Sequence, residues 1–178
     1  ALRLLRGLSL ACTASTVALG YALGRRLLPG RHARVALGTA LVAFNPQFLF
    51  IGASISNDPL VTLCSTLMLY LSVRAAEGEG DPIGMPLAMG AVAGAAALTK
   101  LNGLSSVLFV VAAYGWRFYA RADEGLWRGL VRPILLAGVA ALAVGGWWYI
   151  RNAWFYREPM GLWSYSRIFA IHSETLSL

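Results

Sequence analysis

Charged residues are scarce in this chain of 178 residues: they make up 13% of it, whereas hydrophobic residues make up 58%. A soluble domain carries about a quarter charged residues, because its surface must face water. At a mean hydropathy of +0.63, too little polar surface remains for a soluble fold. The composition therefore excludes a soluble globular domain and predicts a protein whose main solvent is lipid.

Lysine, cysteine and histidine are also scarce. Lys100 is the one lysine among fifteen basic residues, and Cys12 and Cys64 lie inside apolar runs, where thiols pack as small hydrophobes. His32 and His172 stand alone, and the sequence contains no metal-binding Cys/His spacing, phosphate loop or dinucleotide fingerprint. The net charge of +7 is carried by loop arginines rather than by a soluble basic domain. We therefore predict membrane lipids, and not nucleic acid, as the partner of these arginines.

In place of charged residues, the chain contains long apolar runs. A membrane-spanning helix needs about 20 apolar residues, and six runs approach this length: 8–24, 35–56, 59–76, 82–99, 103–120 and 130–150. Because a bilayer offers no hydrogen-bond partner to the backbone, helices are the expected element. We predict an all-α, polytopic transmembrane bundle of about six spans in a single domain, 1–178. Its residues 151–178 would form an extracytoplasmic aromatic segment.

The loop arginines predict the orientation of the bundle. Nine of them lie in the loops 24–34, 74–81 and 117–132, against six basic residues in the remaining connections and termini. The positive-inside rule places the nine-arginine loops in the cytoplasm. Asp58, Lys100 and the aromatic segment then share the opposite face, where we expect any active site.

The chain starts at Ala1 and stops at Leu178 without a clear terminal signal. Arg3 and Arg6 before an apolar run are similar to the start of a signal peptide, but the further basic stretch and spans that follow favour an ordinary membrane span. We expect the chain to be a fragment of a longer protein.

Two local patterns bear on helix packing. Pro46 should free the carbonyl of Val42 and kink the second span. Its neighbour Asn45 lies at membrane depth, where it either satisfies the backbone or lines a cavity. The small residues in 90–94 and 138–146 predict close approach of helices.

Asp58 is the most informative acid, because it lies in a connection of only a few residues, Ser56-Asn57-Asp58-Pro59. One interpretation is an ordinary helix cap, since Asp or Asn before a proline at the first helical position is favoured on local grounds. The other is a carboxylate at the membrane surface that binds a metal ion or a cationic part of a substrate. The two are compatible, and a divalent metal ion is the one candidate cofactor.

Two basic residues are candidates for binding a phosphate. The apolar stretch 82–120 is too long for one crossing, so we predict a helical hairpin that turns at 99–103, and Lys100 lies in this turn between two short apolar runs. It either snorkels to the headgroups or lies deeper and binds an anionic phosphate. Arg151 offers a planar fork of donors suited to phosphate, and Asn152 can add one more bond. The aromatic residues around them are typical of any membrane boundary.

Four motifs resemble a known family. They are Ala43-Phe-Asn-Pro-Gln, Ser56-Asn-Asp-Pro-Leu, Leu98-Thr-Lys-Leu-Asn-Gly, and Trp148-Tyr-Ile-Arg-Asn with Pro159-Met-Gly. Their order is similar to that in the GT-C membrane glycosyltransferases, in particular the bacterial relatives of protein O-mannosyltransferases and the aminoarabinose transferase of lipid A. The resemblance implies a partial GT-C-type membrane domain in a bacterial cytoplasmic membrane. It also implies transfer of a sugar, with inversion, from a polyprenyl-phosphate carrier to an extracytoplasmic acceptor.

The resemblance also assigns roles to single residues. Asp58 matches the family's second-loop acid, which is associated with metal or substrate binding. Lys100 matches the lysine of a Leu-Thr-Lys turn, and Arg151 with Asn152 matches the motif that would steady the carrier phosphate. The supporting residues are Asn57, Asn102 and Tyr149.

The sequence departs from the family pattern in one respect. The principal catalytic acid of the family, the presumed general base, lies in a loop upstream of the matched region. Either that loop precedes Ala1, or the protein is not a competent transferase, and no catalytic residue is assigned within this chain. Asp58 is the one acid that is well placed, and Glu158 and Glu174 are outside candidates. A general base must reach the acceptor hydroxyl within hydrogen-bond distance.

Two other functions stay open. The chain could be a non-catalytic integral membrane subunit whose aromatic face contacts other membrane subunits of a larger complex. It could instead be a transporter whose path is lined by Asn45, Asp58 and Lys100, although transporters often contain internal repeats and none is evident in this sequence.

Overall fold

A computed structural model of the chain describes residues 2–121 and 125–160. Within these ranges the chain forms helices and turns and no strand, which confirms the all-α prediction. The α-helices, in chain order, are α1 (Leu2–Leu27), α2 (His32–Ala43), α3 (Pro46–Ala53), α4 (Asp58–Ala76), α5 (Gly84–Thr99), α6 (Ser106–Ala120), α7 (Arg132–Ala141) and α8 (Trp147–Tyr156). A 3-10 helix, Leu101–Ser105, joins α5 to α6. Two π-helical turns, Trp127–Val131 before α7 and Leu142–Gly146 between α7 and α8, are continuous with these helices, so that Trp127–Tyr156 forms one long helix.

Fewer helices can cross a membrane than the six apolar runs predicted. In the described residues, α1, α4 and the 30-residue helix Trp127–Tyr156 are long and apolar enough, and the bent pair of α2 and α3 makes a fourth if it counts as one span. α5 has 16 residues and α6 has 15. At a rise of about 1.5 Å per residue both fall short of the roughly 30 Å hydrocarbon core. The prediction of six spans is wrong because turns and the 3-10 helix take up part of the apolar runs 35–56, 82–99 and 103–120.

The predicted aromatic segment, 151–178, is described only as far as Met160. Its first part continues α8 to Tyr156, and Glu158 lies beyond the end of that helix. Glu174, His172 and the rest of the segment lie outside the described residues.

Pro46 breaks the second predicted span rather than kinking it, and α2 and α3 meet at an angle of 58°. The side chain of Asn45 caps α3: its Oδ1 accepts from the backbone N–H groups of Gln47 at 2.9 Å and Phe48 at 3.2 Å. The N–H of Asn45 donates to the Val42 carbonyl at 3.2 Å, so this carbonyl is not left free as the sequence predicted. Of the two roles left open for Asn45, the structure shows backbone satisfaction.

α5 and α7 pack backbone against backbone. A Cβ at Gly90 would meet the carbonyl group of Ala137, and a Cβ at Gly94 would lie 2.7 Å from the carbonyl oxygen of Ala141. The predicted close approach is therefore confirmed at 90–94. In 138–146 it is confirmed at Gly145, where a Cβ would lie 2.8 Å from the Gly94 carbonyl oxygen. Gly138 differs, because a Cβ there would meet no described atom within 4 Å.

Ion pairs and a hydrogen bond connect the ends of α1, α4 and α6. Arg26 pairs with Glu77 at 2.6 Å and also with Glu79, and Arg74 lies 3.4 Å from Glu79. Arg121 donates to the Glu77 carbonyl at 2.9 Å. The hydrogen bond from Arg26 lowers the pKa of the Glu79 carboxyl, so this carboxyl stays ionised to a lower pH than an unpaired glutamate. Loops that the sequence assigned to one membrane face thus lie at one end of the bundle.

Candidate functional site

Asp58 and Lys100 meet at the opposite end of the bundle. α4 begins at Asp58 and α5 ends at Thr99, and the two helices run antiparallel, so the start of one lies beside the end of the other. Lys100 Nζ donates to Asp58 Oδ1 at 2.8 Å. The side chains are 44% and 37% exposed, respectively. The structure therefore brings together two residues that lie 42 positions apart in the sequence.

Asn57 forms a second bond between the same two elements. Its side-chain Nδ2 donates to the Thr99 carbonyl at 2.8 Å. The helix does begin at this point, but Asn57 at the cap position makes no side-chain capping bond to the described start of α4. The carboxylate of Asp58 binds Lys100 instead. The predicted helix start is confirmed, and the predicted capping role is wrong because tertiary partners take both side chains.

The turn that carries Lys100 is a 3-10 helix folded back on α5. The Gly103 N–H donates to the Lys100 carbonyl at 2.8 Å, and a Cβ at Gly103 would meet the carbonyl group of Ala96 and lie 2.8 Å from the Ala97 nitrogen. The predicted hairpin between α5 and α6 is confirmed. Asn102 is exposed within this turn, and its carbonyl accepts from the Ser105 hydroxyl at 2.7 Å.

Replacing Gly103 with alanine is expected to lower stability by about 2 kcal/mol, as overpacking against backbone does. The added methyl group must lift the 3-10 turn from α5, and Lys100 moves with it. The loss would appear as a lower melting temperature in detergent micelles. Gly115→Ala is the control, because a Cβ at Gly115 in α6 meets no described atom within 4 Å. An equal effect of the two substitutions would contradict the tight turn.

Tyr149 connects α8 to the same end of α5. Its hydroxyl donates to the Ala97 carbonyl at 2.8 Å. Since Asn57, just before α4, binds the Thr99 carbonyl two residues further on, two side chains from outside α5 bind carbonyl groups of its last turn. Both were only supporting candidates in the sequence, and in the structure both bond to the end of α5 that leads into the Lys100 turn.

Arg151 is placed differently. Its guanidinium carbon lies 5.4 Å from the ring centre of Trp148 and 5.5 Å from that of Phe155, both on its own helix. Asn152, the next residue, is buried. No contact in the described residues brings Arg151 to the Asp58–Lys100 pair, so this pair and Arg151 form two separate groups.

A cavity of about 180 Å³ lies between α1, α3 and α4 and includes Asp58 in its wall. Its lining residues are Thr13, Thr16, Phe48, Ile51, Gly52, Asp58, Pro59 and Thr62. Sequence reasoning missed the three threonines. The signal was their position inside otherwise apolar spans, where polar side chains face a bundle interior or a cavity.

A metal ion does not fit the described residues. They contain no group of three or more His, Cys, Asp or Glu side chains able to hold one. Asp58 Oδ1 accepts from an ammonium group at 2.8 Å, and this neighbouring positive charge opposes a divalent cation. The candidate site is therefore an ion pair beside a cavity whose mainly apolar wall includes three threonines.

The family model described as dolichyl-phosphate-mannose-protein mannosyltransferase matches residues 3–149, which is most of the chain. No curated protein and no solved structure matches the chain.

Proposed function

Because this chain belongs to the dolichyl-phosphate-mannose-protein mannosyltransferase family, we propose that it transfers a sugar from a polyprenyl-phosphate carrier to an acceptor. The family and the apolar helices make it an integral membrane protein of a GT-C-type glycosyltransferase family. The identity of the carrier and the acceptor belongs to the proposal. So does the location, which is a bacterial cytoplasmic membrane with the site on the extracytoplasmic side.

The observation that carries the proposal is the bond between Lys100 and Asp58 at a helix end. An ammonium group has three donors, and Asp58 Oδ1 takes one of them. The other donors are then available for the oxygens of a phosphate, where a charge-assisted bond is strong. Asp58 keeps Oδ2 for a hydroxyl group of the sugar or the acceptor. In a carrier that joins a phosphate to a sugar, the phosphate therefore suits Lys100 and the sugar suits Asp58.

Arg151 and Asn152 are proposed to contact the carrier at α8. Arg151 is exposed, and no carboxylate in the described residues pairs with it. Its aromatic neighbours suit the hydrophobic chain of a lipid carrier, and its planar fork suits the phosphate. The described residues Arg151 and Lys100 share no hydrogen bond, so we propose that they bind different oxygens of the single carrier phosphate. No catalytic base is assigned.

The test uses the protein in lipid nanodiscs with polyprenyl-phosphate mannose that carries a radiolabelled sugar. We expect the carrier to bind, and Arg151→Ala to weaken its binding about tenfold or more, as the loss of a bond to a charged group does. Arg128→Ala is the matched control, because Arg128 is exposed at the far end of the same long helix.

Three outcomes decide the proposal. Binding that only Arg151→Ala weakens supports it. An equal loss in both variants would show that charge in general, and not a site at α8, attracts the carrier. Absence of carrier binding in the wild-type protein would overturn the proposed function.

A further inference from the structure

The polar groups that line the cavity beside Asp58 can all accept hydrogen bonds but have no proton to give. Each cavity threonine donates its hydroxyl proton to the carbonyl four residues earlier. The bonds run from Thr13 to Ser9 at 2.8 Å, from Thr16 to Cys12 at 2.9 Å and from Thr62 to Asp58 at 2.8 Å. The hydroxyl oxygens keep lone pairs, and an ionised carboxylate only accepts. A ligand of this cavity must therefore bring the donors.

The charge of the cavity favours a neutral donor. Asp58 is its one charged lining residue, and Lys100 balances that charge from 2.8 Å. A metal ion or ammonium ligand would therefore meet a carboxylate that is already paired. The O–H groups of a polyol supply donors without charge.

The size of the cavity favours a small ligand. Its volume of about 180 Å³ equals the share of roughly six water molecules in the liquid. Pockets for drug-sized molecules begin near 300 Å³, so a long isoprenoid chain does not fit. A single sugar ring with its hydroxyl groups is a ligand of suitable size and chemistry.

We propose that this cavity binds the sugar of the donor, with the sugar hydroxyls donating to Thr13, Thr16 and Thr62. The proposal rests on the proposed function and adds where the sugar lies. It places the sugar between α1 and α4 and the phosphate near Lys100. The threonines then distinguish a sugar-loaded carrier from an empty one.

The test compares two probes, polyprenyl-phosphate mannose and polyprenyl phosphate without sugar, by native mass spectrometry of the protein in nanodiscs. The variant Thr13→Val with Thr62→Val preserves side-chain shape and removes two acceptors. We expect it to weaken binding of the sugar-loaded carrier about tenfold, the effect of losing two neutral hydrogen bonds. Binding of the empty carrier should change less than about twofold.

Two further variants act as controls. Thr66 lies on the same helix and donates to the Thr62 carbonyl at 2.9 Å, but it does not line the cavity. Thr66→Val should therefore bind both probes like the wild type. Thr62→Ser retains the hydroxyl and should also bind both probes normally, which separates a lost acceptor from altered packing.

Each remaining outcome overturns the inference. An equal loss for both probes would show that the threonines do not contact the sugar, and so would no loss for either probe. A loss in Thr62→Ser as large as that in the double variant would indicate packing. A wild-type protein that binds the empty carrier but not the loaded one would remove the sugar site and leave a carrier site. Binding of neither probe would reject this inference and the proposed function together.

Discussion

Substituting Lys100 with methionine is expected to lower kcat/KM for sugar transfer by about 100-fold. The ammonium group lies 2.8 Å from Asp58 and provides fixed positive charge beside the cavity. Loss of one well-placed donor to developing charge costs about 100-fold or more in rate. Methionine preserves much of the length of the side chain, so the substitution removes charge more than volume. The measurement is transfer of labelled mannose from polyprenyl-phosphate mannose in nanodiscs.

The same substitution should leave the fold almost unchanged. Both side chains of the pair are more than one-third exposed, and exposed ion pairs contribute only about 0–1 kcal/mol to stability. Asn57 and Tyr149 still bind the end of α5 when Lys100 is replaced. A large loss of activity with an unchanged melting temperature is thus the expected combination.

Glu79→Gln provides the matched control at the other end of the bundle. Besides its ion pair with Arg26, Glu79 pairs with Arg74 at 3.4 Å, and the side chains of Glu79 and Arg74 are 48% and 34% exposed. This pair is thus similar in exposure to that of Lys100 and Asp58, but it is distant from the cavity. We expect Glu79→Gln to retain activity.

The exchange Asp58→Lys with Lys100→Asp sharpens the test. The exchanged pair retains its attraction, but the positive charge now lies on α4. If the pair is only structural, the exchange should restore the activity that Lys100→Met loses. Full activity in Lys100→Met itself would contradict the site directly.

Replacing Gly90 with valine is expected to lower the free energy of unfolding by about 3 kcal/mol, at the upper end for overpacked cores. The new side chain would meet the carbonyl group of Ala137. Backbone cannot rotate away as a flexible side chain can, so α5 and α7 would have to separate. That separation would disturb the core around Met89, which is fully buried.

Gly138→Val is the control for this prediction. Gly138 lies on α7, next to Ala137, and a Cβ there meets no described atom within 4 Å. Glycine-to-valine substitution in a helix changes backbone propensity in the same direction at both positions, so the difference between them reports the helix contact. Thermal unfolding in detergent measures it. Equal melting temperatures for the two variants would contradict the close packing of α5 on α7.

Local patterns were enough to predict the hairpin at Lys100 and the close approach at Gly90. Both depend on residue types that act within a few positions: a polar interruption in an apolar run, and glycines spaced along one helix face. The number of spans could not be predicted in the same way. Hydropathy measures how apolar a run is. The length of a helix depends instead on where the turns before and after it interrupt that run.

Side-chain partners were harder to predict than helix ends. The sequence supported a cap for Asp58 or Asn57, because local preferences describe the nearest backbone. Lys100 and Thr99 are distant in the chain and close in the fold, so their bonds to these residues depend on how α4 packs against α5. The cavity threonines were missed for the same reason, since they come from two different helices.

The sequence by itself determined that this is an all-helical membrane protein that resembles a glycosyltransferase family. Composition and short motifs are enough for this, because they are local properties. The tertiary structure decided which polar residues meet. In it, Lys100 pairs with Asp58, and Arg151 lies beside the rings of Trp148 and Phe155. Three threonines line a cavity next to the Lys100–Asp58 pair. These contacts depend on the antiparallel packing of helices that are distant in the chain, and no pattern within a single helix contains that information.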